Sequence, residues 1–181
     1  MLTDFDKFVG FKILKYFLFN PNNEIHLKEL SRELNTSPSS INHYCNLFEK
    51  DNILKTQRKG NLRLIYLNNN SPYVTELKKC FGLLHLKENN IEKITIEPNI
   101  LAVYGSYASG EFDERSDLDI IVIGKKNQVD KDFASKLEKK LGTQIQLTVI
   151  PYYEWEKMKK NKEPFSQEIL KKHVVLKGGD L

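Results

Sequence analysis

The sequence has few of the residues that support disulfide or zinc chemistry. It contains two cysteines, Cys45 and Cys80, and four histidines. No C-x-x-C pair and no closely spaced histidine pair occurs among them, so a structural zinc site is not expected. Both cysteines fall within helical patterns that are far apart in the chain. We therefore predict small, buried, unpaired cysteines.

A long hydrophobic run is also missing. With 40% hydrophobic and 29% charged residues, the composition is that of a globular protein. Every apolar stretch is far shorter than the roughly 20 residues of a membrane-spanning helix. The run from Met1 to Asp6 is acidic and lacks the basic start and apolar stretch of a signal peptide. We therefore expect a cytoplasmic protein with no membrane partner.

Positive charge is concentrated in the first half of the chain. Residues 1–90 carry 13 Lys/Arg and 9 Asp/Glu, a net charge of +4, whereas residues 91–181 carry 15 of each. The stretch between Asp51 and Glu76 has no acid. A local basic patch is expected at a nucleic-acid contact, but a solvated loop has the same composition. The cations of this stretch are Lys55, Arg58, Lys59 and Arg63.

The first half predicts helices followed by a β-hairpin. Helical spacing of apolar residues indicates one helix over residues 5–17 and a second over residues 27–34. Ser37 is a suitable N-cap for a third helix over residues 38–51, which begins with proline. β-rich flanks around a Lys-Gly-Asn turn predict a hairpin over residues 53–67. The apolar stripe of the first helix comprises Phe5, Phe8, Val9, Ile13, Tyr16 and Phe17.

The third predicted helix has two distinct faces. Its apolar residues follow the i, i+3, i+4, i+7 pattern of a core-facing stripe. The stripe comprises Ile41, Tyr44, Cys45 and Phe48. At 100° per residue the polar residues fall on the opposite side. These are Ser39, Asn42, His43, Asn46 and Lys50.

Helix, helix, short turn, helix and basic hairpin is an order that resembles a winged helix-turn-helix DNA-binding domain over residues 5–70. The resemblance implies that the third helix enters the major groove of double-stranded DNA and that the hairpin contacts the phosphate backbone or the minor groove. A winged helix that serves protein contact or dimerisation is the alternative. The implied DNA-binding residues are Ser39, Asn42, His43 and Asn46 on the helix, and Arg58, Lys59 and Arg63 on the hairpin.

These patterns divide the chain into three parts. Residues 1–70 form the first domain, residues 71–90 a connecting helix and residues 91–181 a second domain. The connecting helix is interpreted equally well as a dimer interface or as a linker packed on its own domain. Because DNA operators are commonly two-fold symmetric, a homodimer is expected.

The second half contains the residues suited to chemistry. An apolar strand over residues 100–104 ends at Gly105-Ser106, where a glycine allows close backbone approach and a turn into a short helix exposes N–H groups to phosphate. A second strand, buried on both faces, follows Asp117-Leu118-Asp119. Two carboxylates two residues apart point to the same face and repel each other unless a cation such as Mg²⁺ lies between them.

The stretches Gly105–Glu111 and Ser116–Ile120 resemble the signature of the DNA polymerase β-type nucleotidyltransferases, and most closely their minimal, MNT-like branch. The resemblance implies an α+β fold with a small mixed sheet, a nucleoside triphosphate ligand, and Mg²⁺ or Mn²⁺ as cofactor. Some members of this branch transfer AMP to a toxin, which implies a protein partner of that kind. The implied site residues are Gly105, Ser106 and Ser116 for phosphate, and Asp117 and Asp119 for metal binding and catalysis.

One position departs from the signature. Members that catalyse transfer carry a third carboxylate on the next strand, where this chain has Gln146, which cannot accept a proton at neutral pH. Glu111 is a conceivable substitute. We therefore predict a DNA-binding regulator that binds Mg²⁺-nucleotide, with transfer weak or lost. The alternatives are an active nucleotidyltransferase that modifies a protein or small molecule, and a non-catalytic regulator that uses the domain for dimerisation or partner binding.

Overall fold

The computed structural model describes residue 5, residues 7–95 and residues 99–181. The prediction based on the acidic N-terminus therefore falls largely outside the described residues. The chain divides into two compact units, Met1–Phe81 and Gly82–Leu181. Helices and small sheets occur in both, as the predicted α+β class requires. No helix within the described ranges combines the length and the hydrophobicity that a membrane crossing needs.

The first unit combines helices with a three-stranded antiparallel sheet of order β1-β3-β2. The strand β1, Glu24–His26, was not predicted, because three residues are too few to show a period of two. Tertiary pairing with β3 defines it. The remaining elements are α1 (Val9–Phe19), α2 (Leu27–Glu33), α3 (Pro38–Lys50), β2 (Leu54–Lys59), β3 (Leu62–Leu67) and α4 (Pro72–Glu88), which continues into the second unit.

Local sequence explains how α3 begins and which side it buries. The Ser37 hydroxyl accepts a hydrogen bond from the Ser40 N–H at 3.2 Å, and Pro38 opens the helix. This confirms the predicted cap. The predicted apolar stripe packs into a core with α1, α2 and the sheet, because its apolar side chains leave water there. The fully buried residues of this core include Ile13, Phe17, Leu18, Leu30, Ile41, Cys45 and Ile65.

Two expectations about burial are wrong. Phe8 is 63% exposed, because it has extended backbone angles and α1 begins only at Val9. Helical spacing therefore does not apply to it, and Phe5 is exposed as well. Cys80 is also exposed, whereas Cys45 is buried as predicted. Both cysteines are free thiols.

The second unit is built on a mixed four-stranded sheet of order β6-β5-β4-β7. In this sheet β4 is antiparallel to both β5 and β7, and β5 is parallel to β6. The strands are β4 (Ile100–Tyr104), β5 (Leu118–Ile123), β6 (Ile145–Ile150) and β7 (His173–Lys177), and the helices are α5 (Gly105–Ser109), α6 (Lys131–Leu141), α7 (Tyr152–Lys160) and α8 (Pro164–Lys171).

One face of this sheet is covered by α7 and α8. Trp155 of α7 and Ile169 of α8 are fully buried against strand residues such as Ala102 and Ile121. Side chains alternate along a strand, so residues two positions apart point to the same face. Tyr104 follows Ala102 by two positions in β4, and Asp119 precedes Ile121 by two positions in β5. Tyr104 and Asp119 therefore lie on the face covered by α7 and α8, near the strand ends where the Gly-Ser turn begins.

Candidate functional site

The backbone at Gly105 lies against the carboxylate of Asp119. Gly105 has φ +66°, in the left-handed region, and it begins α5 directly after β4. A Cβ added there would clash with Oδ2 of Asp119. The register that pairs Val103 with Ile120 brings the two residues together. Glycine is therefore required for two separate reasons, the backbone conformation and the space that the carboxylate occupies.

The short helix after Gly105 is fixed by its own backbone and by aromatic packing. The Ser106 carbonyl accepts hydrogen bonds from the N–H groups of Gly110 and Glu111, the latter at 2.9 Å. Tyr107 stacks on Phe112 with ring centroids 4.3 Å apart and planes 9° apart. Tyr107 and Phe112 are both buried. Ser106 therefore lies in an ordered turn, directly after the glycine that packs against the Asp119 carboxylate.

Gln146 contacts one of the two carboxylates directly. Its Nε2 donates a hydrogen bond to Oδ2 of Asp117 at 2.6 Å. In the parallel pairing of β5 with β6, Gln146 is also the register partner of Asp119. Asp117 lies one residue before β5, and the strand includes Asp119. Gln146 therefore occupies the place next to both carboxylates, and its amide donates where an acid would offer another oxygen.

The carboxylate of Asp119 is in an unfavourable electrostatic environment. Its pKa is raised above the usual value, first because partial burial disfavours the charged form, and then because Asp117 and Glu168 add negative charge. Burial also raises the pKa of Tyr104, whose hydroxyl is hydrogen-bonded to Thr148. A bound cation would remove the repulsion at Asp119, so the site is electrostatically prepared for one.

Ser116 and Glu111, which the sequence indicated as candidate site residues, form hydrogen bonds within the protein. The Ser116 hydroxyl accepts from the Asp113 N–H at 2.8 Å and donates to Oδ1 of Asp113 at 3.1 Å, which closes the turn before β5. The Glu111 carboxylate accepts from the Ser109 hydroxyl at 2.8 Å and pairs with Lys172 at 3.4 Å. Phosphate binding by Ser116 stays a prediction, and so does the substitute role of Glu111.

The helix α8 and the strand β7 add residues that the sequence did not indicate. His173 is the register partner of Tyr104, because β7 pairs with β4. Phe165 contacts the Tyr104 ring edge-on at 6.2 Å. Glu168, on the same helix, acts electrostatically on Asp119. These residues follow the Gly-Ser turn by about sixty positions, and only the sheet order brings them beside it.

The donor set fits one hard cation. Mg²⁺ is commonly held by one or two carboxylates together with waters and substrate phosphates, and Asp117 and Asp119 supply such a pair. Within the described ranges, no group of three or more His, Cys, Asp or Glu side chains could hold a metal ion.

The first unit contains the second set of predicted site residues. Ser39, Asn42 and His43 are exposed on α3, Asn46 is half-buried, and the Lys55, Arg58 and Lys59 side chains are exposed on the hairpin. Arg63 differs, because it turns back onto α3. Its Nη1 donates to Oδ1 of Asn42 at 3.0 Å, and its Nη2 donates to Oε2 of Glu49 at 2.7 Å.

Comparison with known proteins identifies the family. The model of the nucleotidyltransferase domain matches residues 86–176, which is half of the chain, so the chain belongs to the nucleotidyltransferase domain family. Enzymes with this domain generally use divalent metals and nucleotide substrates. None of the curated proteins matches the sequence.

Two solved structures are similar over part of the chain. Reduced HlyU from Vibrio cholerae is 26% identical over 42% of this chain and 72% of its own, with a TM-score of 0.34. A toxin–antitoxin complex with AMP-PNP is 20% identical over 52% of this chain and 74% of its own, with a TM-score of 0.38. Both TM-scores are too low for either structure to define the fold.

Gly142 provides a matched control for Gly105. It also has a left-handed backbone, with φ +68°, but an added Cβ would meet no atom within 4 Å. Gly142→Ala should lower the free energy of unfolding by about 1–2 kcal/mol, the cost of the backbone conformation. Gly105→Ala should cost about 1–3 kcal/mol more, because the carboxylate must also move.

The measurement is urea unfolding followed by fluorescence of Trp155, the single tryptophan, which is fully buried in the second unit. Equal losses for the two variants would contradict the close approach of Asp119 to Gly105.

The raised pKa of Asp119 predicts how metal-free stability depends on pH. Because the folded state binds this proton more tightly than the unfolded chain does, the group contributes stability below its usual pKa of 3.8. That contribution is lost as pH rises through the higher folded-state value. Asp119→Asn should therefore raise the melting temperature at neutral pH, and its advantage over the unmodified protein should disappear in acid.

Thermal melts at several pH values, in the presence of a chelator, would measure this difference. Asp180→Asn, at an exposed position, is the control and should change nothing. An Asp119→Asn protein less stable than the unmodified one at neutral pH would show that the carboxylate has a stabilising partner.

Proposed function

We propose that the chain is a DNA-binding regulator whose nucleotidyltransferase domain binds an Mg²⁺-nucleotide, with transfer activity weak or lost. Nucleotide binding is supported by the close packing of Gly105 on Asp119 and by the paired carboxylates. The observation that carries the proposal is the hydrogen bond from Gln146 to Asp117. It favours binding over turnover.

The residues at the site have separate roles in this proposal. The Ser106 hydroxyl and the turn at Gly105 hold phosphate oxygens, while Asp117 and Asp119 hold the metal. A bound divalent cation would neutralise phosphate charge. Gln146 orients Asp117 through its amide N–H, but an amide cannot take the proton of an attacking hydroxyl. The site therefore has the groups for binding and lacks an adjacent base on β6.

The DNA-binding part of the proposal rests on the surface of the first unit. Within the described residues, three helices precede a hairpin, and α3 presents a polar face of short side chains to solvent. Cross-strand pairing places Arg58 directly opposite Arg63, on the hairpin side that contacts α3. This arrangement suits a winged helix-turn-helix domain in which α3 lies in the major groove and Arg58 and Lys59 contact phosphates.

Nucleotide binding can be measured by calorimetric titration of the full chain with Mg²⁺-ATP and Mg²⁺-CTP. We expect saturable, Mg²⁺-dependent binding that Asp117→Asn combined with Asp119→Asn weakens at least about tenfold, equivalent to about 1.4 kcal/mol. Asp180→Asn should leave the affinity unchanged. The absence of binding by any nucleoside triphosphate would rule out this part of the proposal.

Transfer activity can be tested with the unmodified chain and the Gln146→Glu variant. Incubation with α-labelled nucleotide and a cell extract should label little or no acceptor with the unmodified chain. Gln146→Glu restores a carboxylate beside Asp117 and Asp119 and should increase labelling by as much as about 100-fold, the usual contribution of a general base. Strong labelling by the unmodified chain, unchanged by Gln146→Glu, would instead favour an active transferase that uses another acid.

Salt dependence tests the DNA contact. If Arg58 and Lys59 each neutralise one phosphate, Arg58→Ala or Lys59→Ala should lower the slope of log affinity against log salt by about 1 each. The measurement is fluorescence anisotropy with duplex DNA at several salt concentrations. Lys160→Ala, exposed on α7, removes the same charge elsewhere and should leave the slope unchanged. Identical slopes for all four proteins would exclude the hairpin as the contact surface.

A further inference from the structure

The strand β6 is at one edge of the sheet in the second unit, where β5 is its neighbour. The Leu118 N–H donates to the Gln144 carbonyl at 2.8 Å, and the Gly124 N–H donates to the Ile150 carbonyl at 2.9 Å. Backbone groups alternate in direction along a strand, so the even-numbered residues of β6 face β5 and the odd-numbered residues face the free edge. Within the described residues, no strand pairs with this edge.

The odd-numbered residues also line a groove between β6 and α6. Ile145, Leu147 and Val149 are partly exposed, and together with Ala134 of α6 they line a cavity of about 550 Å³. We call this cavity the β6 groove. It lies on the opposite face of the sheet from the candidate nucleotide site, because the side chain of Gln146, which reaches that site, alternates with these residues.

The free edge of β6 has little protection against pairing with another strand. The stretch from Gln144 to Ile150 contains no charged residue, proline or glycine. Edge strands of natural sheets are usually protected by charge, proline or short length. The Ile145 N–H donates to Oε2 of Glu138 at 3.1 Å, but the N–H groups of Leu147 and Val149 have no acceptor among the described residues. This edge therefore offers donors and acceptors to a further strand.

The β6 groove has opposite charges at its two ends. Glu138 lies where β6 begins, since it contacts the Ile145 N–H. Lys126 lies where β6 ends, because it follows the last residue of β5 by three positions and β5 is parallel to β6. Lys131 begins α6 and also lines the groove, seven positions before Glu138 and so about 10 Å from it along the helix.

These features make the groove complementary to a second copy of itself. In antiparallel pairing of two β6 strands about a two-fold axis at Leu147, this residue faces its own copy, and Ile145 of each chain faces Val149 of the other. The aliphatic side chains of both copies then form one apolar surface, and cross-strand contacts of this kind stabilise a sheet. The same symmetry brings Lys131 of each copy towards Glu138 of the other. An acidic peptide would use the lysine end alone.

We propose that a second copy of this chain docks on the β6 groove through antiparallel pairing of the two β6 edges. The dimer has a sheet that continues from one copy into the other. Lys131 and Glu138 are the charged contacts at each end of the interface. This pairing does not depend on the proposed binding of nucleotide or DNA, so a test of one does not decide the other.

The first experiment is sedimentation equilibrium of the full chain at several concentrations. The unmodified chain should show a monomer–dimer equilibrium. Lys131→Glu places two glutamates together at both ends of the interface, and Glu138→Lys places two lysines there. Each variant should weaken the dimer at least about tenfold, because juxtaposed like charges oppose association. Lys160→Glu, exposed on α7, reverses the same charge elsewhere and should leave the equilibrium unchanged.

Mixing the two variants gives a sharper result. In a dimer of one Lys131→Glu chain and one Glu138→Lys chain, both ends again join opposite charges. An equal mixture should therefore recover a dissociation constant close to that of the unmodified chain. An unfolded variant could not produce this recovery. A mixture no more dimeric than its components would show that these two positions do not face each other, and it would overturn the proposal.

Amide hydrogen exchange locates the interface on β6. Protection of the Leu147 and Val149 N–H groups should increase with protein concentration as the dimer forms. The N–H of Thr148 points to β5 and is the internal control, which should stay protected at every concentration. A chain that is monomeric throughout, a dimer that neither charge variant weakens, or fast exchange of Leu147 and Val149 in the dimer would each overturn the proposal.

Discussion

The close approach between the Gly105 backbone and the Asp119 carboxylate is the constraint on which the site depends. The chain leaves β4 in a left-handed turn, and the antiparallel neighbour β5 brings a charged oxygen into the space where any other residue would place a Cβ. The contact also links the site to the strand order. The sheet buries β5 on both faces, and the carboxylates lie at the start of this strand.

The fold places Asp119 where its negative charge is disfavoured. Burial and the neighbouring acids disfavour the ionised form of Asp119, so the domain without a ligand carries an electrostatic cost. Gln146 offsets part of the negative charge by donating to Asp117, and it does so without adding an acid. Gln146 therefore adds no further repulsion to the site. Membership of the nucleotidyltransferase family does not by itself decide between binding and turnover.

In the first unit, hydrogen bonds to one carboxylate connect α3 with the hairpin. Glu49 receives donors from both strands of the hairpin, and Arg63 passes the constraint on to Asn42. Composition alone assigns Arg63 to a phosphate contact, but in the structure its side chain is hydrogen-bonded to α3. Net charge is thus a poor guide to which cations are available to a ligand, because a cation that is already paired contributes less to binding.

Features that depend on near neighbours can be predicted from the sequence alone. The cap at Ser37, the apolar stripe of α3, the hairpin turn at Gly60 and the order of the Gly-Ser and Asp-x-Asp segments all follow from periodicity or from residues within a few positions. The contacts between distant segments, in contrast, depend on how the chain packs. The partners Gln146 and Asp117 are 29 positions apart, and Lys172 and Glu111 are 61 apart. β1 and the exposure of Cys80 are further cases. Such contacts depend on strand register and on which helix packs against which face, and no local pattern encodes either.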